Sequence, residues 1–179
     1  MSIIKRFNNQ LPDISSNAFI AENVVISGNV TVLQNASIWY GCVVRGDVSK
    51  IYIGSKTNIQ DQTVIHGTRP NHPINKTSDG GGDVFIGDNV TVGHSCIIHA
   101  CTIENNSFVG MGSILMDLSR VETNSMLAAG SLLSPGKVVK SGELWGGRPA
   151  RFMRNLSQEE LNYIQKSANN YWSLALEYK

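Results

Sequence analysis

The sequence predicts a mainly β fold, a parallel β-helix of hexapeptide repeats followed by a C-terminal α-helix. Three observations predict it. Seventeen Ile, Val or Leu residues recur nearly every six positions from Ile20 to Leu133. Four positions after most of them stands a small residue, such as Ala36, Cys42, Thr63, Cys96, Ser113 or Ser131. Helical periodicity is confined to the last stretch of the chain. A fixed six-residue period fits no helix, and a short repeat that cannot bury its own apolar side must stack on its neighbours.

Residues 1–19 form an N-terminal segment ahead of the repeats. The aliphatic series then runs Ile20, Ile26, Val32, Ile38, Val44, then Ile53, Ile59, Ile65, then Ile86, Val92, Ile98, and finally Ile103, Val109, Leu115, Val121, Leu127, Leu133. Each of these residues is expected to point into a triangular prism, with three hexads per coil and the small residue at each corner. Almost six coils result, which at the ~4.8 Å spacing of paired strands give a prism roughly 27 Å tall. Three irregular steps interrupt the register: nine residues from Val44 to Ile53, five from Ile98 to Ile103, and twenty-one from Ile65 to Ile86. The last holds the Pro-, Gly- and Asn-rich segment 67–83, expected to leave the prism as a surface loop. The β-helix thus covers 20–140. After Leu133 the repeats fade into a crossing segment at 141–156, with Trp145-Gly146-Gly147-Arg148-Pro149 as an exit turn. Ser157 and Glu160 form a capping box, and Leu161, Ile164, Ala168, Tyr171 and Ala175 follow at helical spacing, so 157–179 is predicted as the helix. All these parts belong to one domain.

Composition limits the function classes. A formal net charge of +1 with no basic stripe or acidic tail argues against nucleic-acid and membrane-surface partners. No apolar run approaches the ~20 residues of a membrane span, and the start lacks the long apolar stretch of a signal peptide. A cytoplasmic protein is expected. Three cysteines fit a reducing compartment and make no self-contained disulfide framework.

The histidines carry the chemistry. His66 follows Ile65 and His99 follows Ile98, so both occupy the outward position next to a buried aliphatic residue. Their separation of 33 is one eighteen-residue coil plus the fifteen-residue insertion, which stacks them on one face. Two nitrogens bound to one zinc at ~2.0 to 2.1 Å come within ~3.4 Å of each other, which stacked coils allow. His94 lies further round the coil, so a ligand role for it implies a neighbouring subunit. Arg45 and Gln60 also follow buried aliphatic residues and are expected on the same outward face, a coil or so below. The alternative is that three surface histidines merely align.

These hexads and histidines, with Val44-Arg45-Gly46-Asp47, Asn58-Ile59-Gln60-Asp61, Val92-Gly93-His94 and Ile98-His99-Ala100-Cys101-Thr102-Ile103, resemble the gamma-class carbonic anhydrase family in its bacterial hexapeptide-transferase-like branch. The resemblance covers almost the whole chain. It implies a left-handed β-helix and a homotrimer with three interfacial metal sites. His66 and His99 of one chain and His94 of the next would bind Zn2+, with Fe2+ or Co2+ as alternatives. A metal-bound hydroxide would then hydrate carbon dioxide reversibly to bicarbonate. It further implies an intersubunit ion pair between Arg45 and Asp47, orientation of the hydroxide or bicarbonate by Gln60 with support from Asp61, and approach of a helix tyrosine, here Tyr171. A packing role for Tyr171 stays open.

One departure matters. Archetypal family members carry a Glu directly after Arg-Gly-Asp and another in an acidic loop, which together relay protons. Here Val48 takes the first place and segment 67–83 contains no Glu. His72, in that segment, is a candidate proton carrier. Cys96 and Cys101 flank His99, but Cys96 holds the small corner position like Cys42, and packing is the expected role of both. Three other readings remain: a hexapeptide acyltransferase using one histidine as base without metal, a metal-dependent acyl-CoA thioesterase, and a non-catalytic metal-binding trimeric scaffold.

Overall fold

The computed structural model describes residues 1–71 and 82–178. Most of segment 67–83, His72 included, lies outside the described residues. The chain winds into a parallel β-solenoid of about 7 turns with one C-terminal helix. Register explains the six-residue period. On the first face Ile4, Ile26, Val44, Ile65, Ile98, Leu115 and Leu133 lie in one ladder of paired strands. The second face stacks Ile14, Val32, Ile53, Ile86, Ile103, Val121 and Val139. The third stacks Ile20, Ile38, Ile59, Val92, Val109, Leu127 and Trp145. Almost all of the repeating aliphatic residues are fully buried. The stack is taller than the predicted six coils because Val139 and Trp145 carry the period onward, while Ile4 and Ile14 of the N-terminal segment add a coil at the other end.

Corners follow a rule. Three residues after the buried aliphatic, the chain takes a left-handed conformation, as at Asn23 (φ 58°), Asn35 (φ 61°), Asn89 (φ 55°), Asn106 (φ 53°) and Asn124 (φ 58°). Asn tolerates that region because its short amide can bond locally. The next residue is the small one, and it does more than save space. Buried Thr57 Oγ1 donates to the Gly87 carbonyl at 2.6 Å, Thr63 Oγ1 to Gly93 at 3.1 Å and Ser113 Oγ to Ala128 at 3.1 Å. These hydroxyls satisfy corner carbonyls that the ladders leave unpaired.

The nine-residue step is a bulge. Gly28 pairs with Gly46 and Val30 with Ile51, so Asp47 to Lys50 stand opposite Asn29 alone. Gly46 permits the close approach, since a Cβ there would lie 2.6 Å from the Asn29 carbonyl oxygen. The five-residue step passes through Ala100, at φ 44°. Strands Glu143–Gly147 and Ala150–Asn155 then pair antiparallel, and helix Gln158–Glu177 begins at the Ser157 capping box. Ile164, Ala168 and Ala175 are buried on the third face, where the hydroxyls of Ser167 and Thr91 meet at 3.0 Å. Among the described residues no helix lies on the first face, and Val64 and Ile97 on it are 41% and 45% exposed. Among the described residues no helix is long and apolar enough to cross a membrane.

Candidate metal centre

The first face stacks Arg45 beneath His66 and His66 beneath His99 in direct register. His66 Nδ1 and His99 Nε2 lie 3.4 Å apart. On the far sides of the rings, His66 Nε2 meets Asp47 Oδ1 at 3.0 Å and His99 Nδ1 meets Asp117 Oδ1 at 2.6 Å. A carboxylate accepts, so in the neutral rings the proton sits on the nitrogen beside it. The two facing nitrogens then carry lone pairs and no proton. They lie beyond ordinary hydrogen-bond length and repel each other unless a cation intervenes, while two nitrogens on one tetrahedral zinc would sit ~3.3 to 3.4 Å apart. The donor set therefore fits a divalent metal of the zinc type.

Arg45 Nη1 donates within the same chain to Asp47 Oδ2 at 2.5 Å. Partial burial pushes the Asp47 carboxyl up, but hydrogen bonds from Arg45 and His66 outweigh it and hold the group below its ordinary range. Burial lowers the pKa of His66 from 6.5, the charges of Arg45 and His99 add to this, and Asp47 opposes it. The imidazole is kept neutral, as a ligand must be.

A second group lies elsewhere on the prism. His94 Nδ1 meets Asp61 Oδ2 at 2.8 Å, which leaves Nε2 unprotonated and outward on a side chain 43% exposed. Tyr171 contacts the ring of Trp39 edge-on at 5.7 Å, and burial raises its pKa with the charge of Asp61 adding to the rise. Gln60 departs from expectation. It follows Ile59 on the third face, away from the column of Arg45, is 5% exposed, and donates its amide to Asn58 at 3.1 Å. The outward position after a buried aliphatic recurs on all three faces, and only hexads three apart share one. Among the described residues no three His, Cys, Asp or Glu of one chain are grouped so as to hold a metal ion. Within one chain the His66–His99 pair and His94, which meets Asp61, are thus separate.

Cys96 and Cys101 are buried, and burial pushes their thiols up to about 11 and about 12. Thiols so protonated are packing groups and poor ligands.

Sequence reasoning missed Asp117 and the pairing of Asp61 with His94. The second was readable: Asp61 and His94 are 33 residues apart, the same interval as His66 and His99. Asp117 stands 18 residues after His99, but the five-residue step shortens this coil to 17, so Asp117 lies one position past Met116, the residue in register with His99.

No family model matches the chain. It is 49% identical over 166 residues to a protein named gamma carbonic anhydrase 2, mitochondrial, from Arabidopsis thaliana, covering 92% of this chain and 57% of that relative. The chain thus spans less than two thirds of that relative. It is 35% identical over 177 residues to a carbonic anhydrase of Geobacillus kaustophilus, covering 99% of this chain and 91% of the relative. A solved hexapeptide transferase family protein from Anaplasma phagocytophilum superposes with a TM-score of 0.90 at 54% identity, over 99% of this chain and 98% of that one.

Proposed function

Because the chain belongs to the gamma carbonic anhydrase family, we propose that it hydrates carbon dioxide reversibly at metal sites shared between the subunits of a homotrimer. The observation that carries this reading is the pair of unprotonated nitrogens, His66 Nδ1 and His99 Nε2, facing each other at 3.4 Å with a carboxylate behind each ring. His94 Nε2 of a neighbouring chain completes the set. Held by His66, His99 and the neighbour's His94, a divalent ion would supply a water acidified to a pKa of ~7.

The chain's own residues prepare that site. Asp47, Asp61 and Asp117 hold the ring protons at His66 Nε2, His94 Nδ1 and His99 Nδ1, so every ligand lone pair is free before the ion arrives. Gln60, held by its bond to Asn58, would orient the substrate, and Asp61 holds the ring of His94. Tyr171, which feels the charge of Asp61, would border the site. Arg45 braces Asp47, and the apolar stripe of Val64 and Ile97 beside the histidine pair suits burial against a second copy of the chain. Zn2+ is the proposed metal, with Fe2+ or Co2+ as alternatives the same nitrogens would accept. Three buried, unpaired thiols fit a reducing compartment such as the cytoplasm.

A second reading, acyl transfer from coenzyme A, draws on the name of the solved relative, a hexapeptide transferase. That reading makes one histidine a base and needs no metal, whereas the lone pairs of His66 Nδ1 and His99 Nε2 face each other at 3.4 Å, an arrangement that suits a shared cation better than a substrate hydroxyl. Elemental analysis of anaerobically purified protein, with stopped-flow carbon dioxide hydration after loading zinc or iron, separates the readings. The proposal expects about one metal per chain and hydration that depends on it. Metal-free protein turning over acyl-CoA would replace it with the transferase.

A further inference from the structure

Resting on the metal-site reading above, the geometry points to Thr68 and Asp117 as positioning residues that set the tautomer of His99. Both oxygens of Asp117 are engaged. Oδ1 accepts from His99 Nδ1 at 2.6 Å, and Oδ2 accepts from the Thr68 hydroxyl. Facing a carboxylate oxygen, which can only accept, the hydroxyl must donate. The carboxylate is therefore held by one oxygen while the other points at the ring. Held so, it keeps the proton on Nδ1 and leaves the Nε2 lone pair aimed at His66.

Thr68 is itself clamped. Its backbone N–H donates to the Gly82 carbonyl at 2.9 Å, and that carbonyl also accepts from Ser49 Oγ at 3.0 Å. Gly82 approaches so closely that a Cβ on it would lie 1.9 Å from the Thr68 carbonyl oxygen, and one on Gly67 would lie 1.8 Å from Ser49 Oγ. Thr68 is 9% exposed, so water does not compete freely for its hydroxyl. The His66 side shows the same construction: Asp47 gives one oxygen to the ring and the other to a brace, there Arg45. Each ring of the stacked pair thus leans on a carboxylate that is itself held from behind.

A neutral imidazole without such a partner divides between two tautomers, and the fraction protonated on Nε2 cannot bind metal through it. The test uses the metal-free full chain at pH 8 and reads the histidine ring nitrogens by 15N NMR. Wild type and Thr68→Ser should show His99 protonated on Nδ1 alone, whereas the isosteric Thr68→Val should show a mixture of tautomers. Zinc affinity by chelator competition should fall about tenfold in Thr68→Val, by ten- to a hundredfold in Asp117→Ala, and return to the wild-type value in Thr68→Ser. Wild-type tautomer and affinity in Thr68→Val would overturn the inference, as would a Thr68→Ser protein as impaired as Thr68→Val, which would mark a packing role. Should the wild type bind no zinc, the metal-site reading falls, while the tautomer spectra still decide whether Thr68 positions the ring.

Discussion

At the scale of residues, burial keeps His66 neutral while carboxylates fix the ring protons of the three histidines. Burial is the largest cause of the lowered pKa of His66, with the charges of Arg45 and His99 added and Asp47 opposing. The folded state therefore takes up fewer protons than the unfolded one as pH falls below 6.5. The contribution of His66 to stability in the metal-free protein is complete above that value and is lost as pH falls through the lowered folded pKa. Melting temperatures of metal-free wild type and His66→Gln should accordingly differ most above pH 6.5 and converge as pH falls below it. Val48 has a consequence of its own. Without the Glu that archetypal family members carry there, protons must leave by another carrier, so hydration rates of the zinc-loaded enzyme should rise several-fold with imidazole buffer concentration. A rate independent of buffer would reveal an internal carrier. The stacking of His66 on His99 was legible from interval arithmetic alone. Asp117 was not, because it lies one position past Met116, the residue in register with His99, and Gln60 was assigned to the wrong face because its place within the three-hexad cycle was not counted.

Elements were legible to different degrees. The aliphatic period marked the strands because each inward side chain must land on the one a coil below, and the Ser157–Glu160 pair marked the helix start. The corner rule was only half seen: small residues were noticed, while the Asn or Gly before them, in left-handed conformation, were not. The helix start makes a direct test. Ser157 Oγ accepts from the Glu160 N–H at 3.2 Å, and the Glu160 carboxylate accepts from the Ser157 N–H at 2.9 Å and from Arg154. Ser157→Ala should cost about 1 kcal/mol of stability in denaturant unfolding. Hydrogen bonding from Arg154, then from the Ser157 backbone, lowers the Glu160 pKa from 4.5 to about 2. A depressed carboxylate stabilises above its unfolded value, and that increment is lost as pH falls from 4.5 toward about 2. The gap in melting temperature between wild type and Glu160→Gln should close over that window.

At the scale of the whole molecule, the prism has three faces with three fates. The helix covers the third, and the second carries Tyr52 stacked on Phe85 with ring centroids 5.0 Å apart. The first presents the histidine pair beside exposed Val64 and Ile97, where the account places a second copy of the chain. In a closed threefold ring each chain would offer its pair to one neighbour and its His94 to the other. One measurement tests this most directly: the zinc content of trimers reassembled from equal amounts of His94→Ala and His99→Ala chains. Each variant alone should hold almost none. In the mixture a site is intact wherever a His94→Ala chain supplies the pair and a His99→Ala chain supplies His94, which random assembly achieves at about one site in four. Recovery of zinc near that level would support ligands shared between subunits. A mixture as empty as its parents, or His94→Ala trimers that retain full zinc alone, would contradict it.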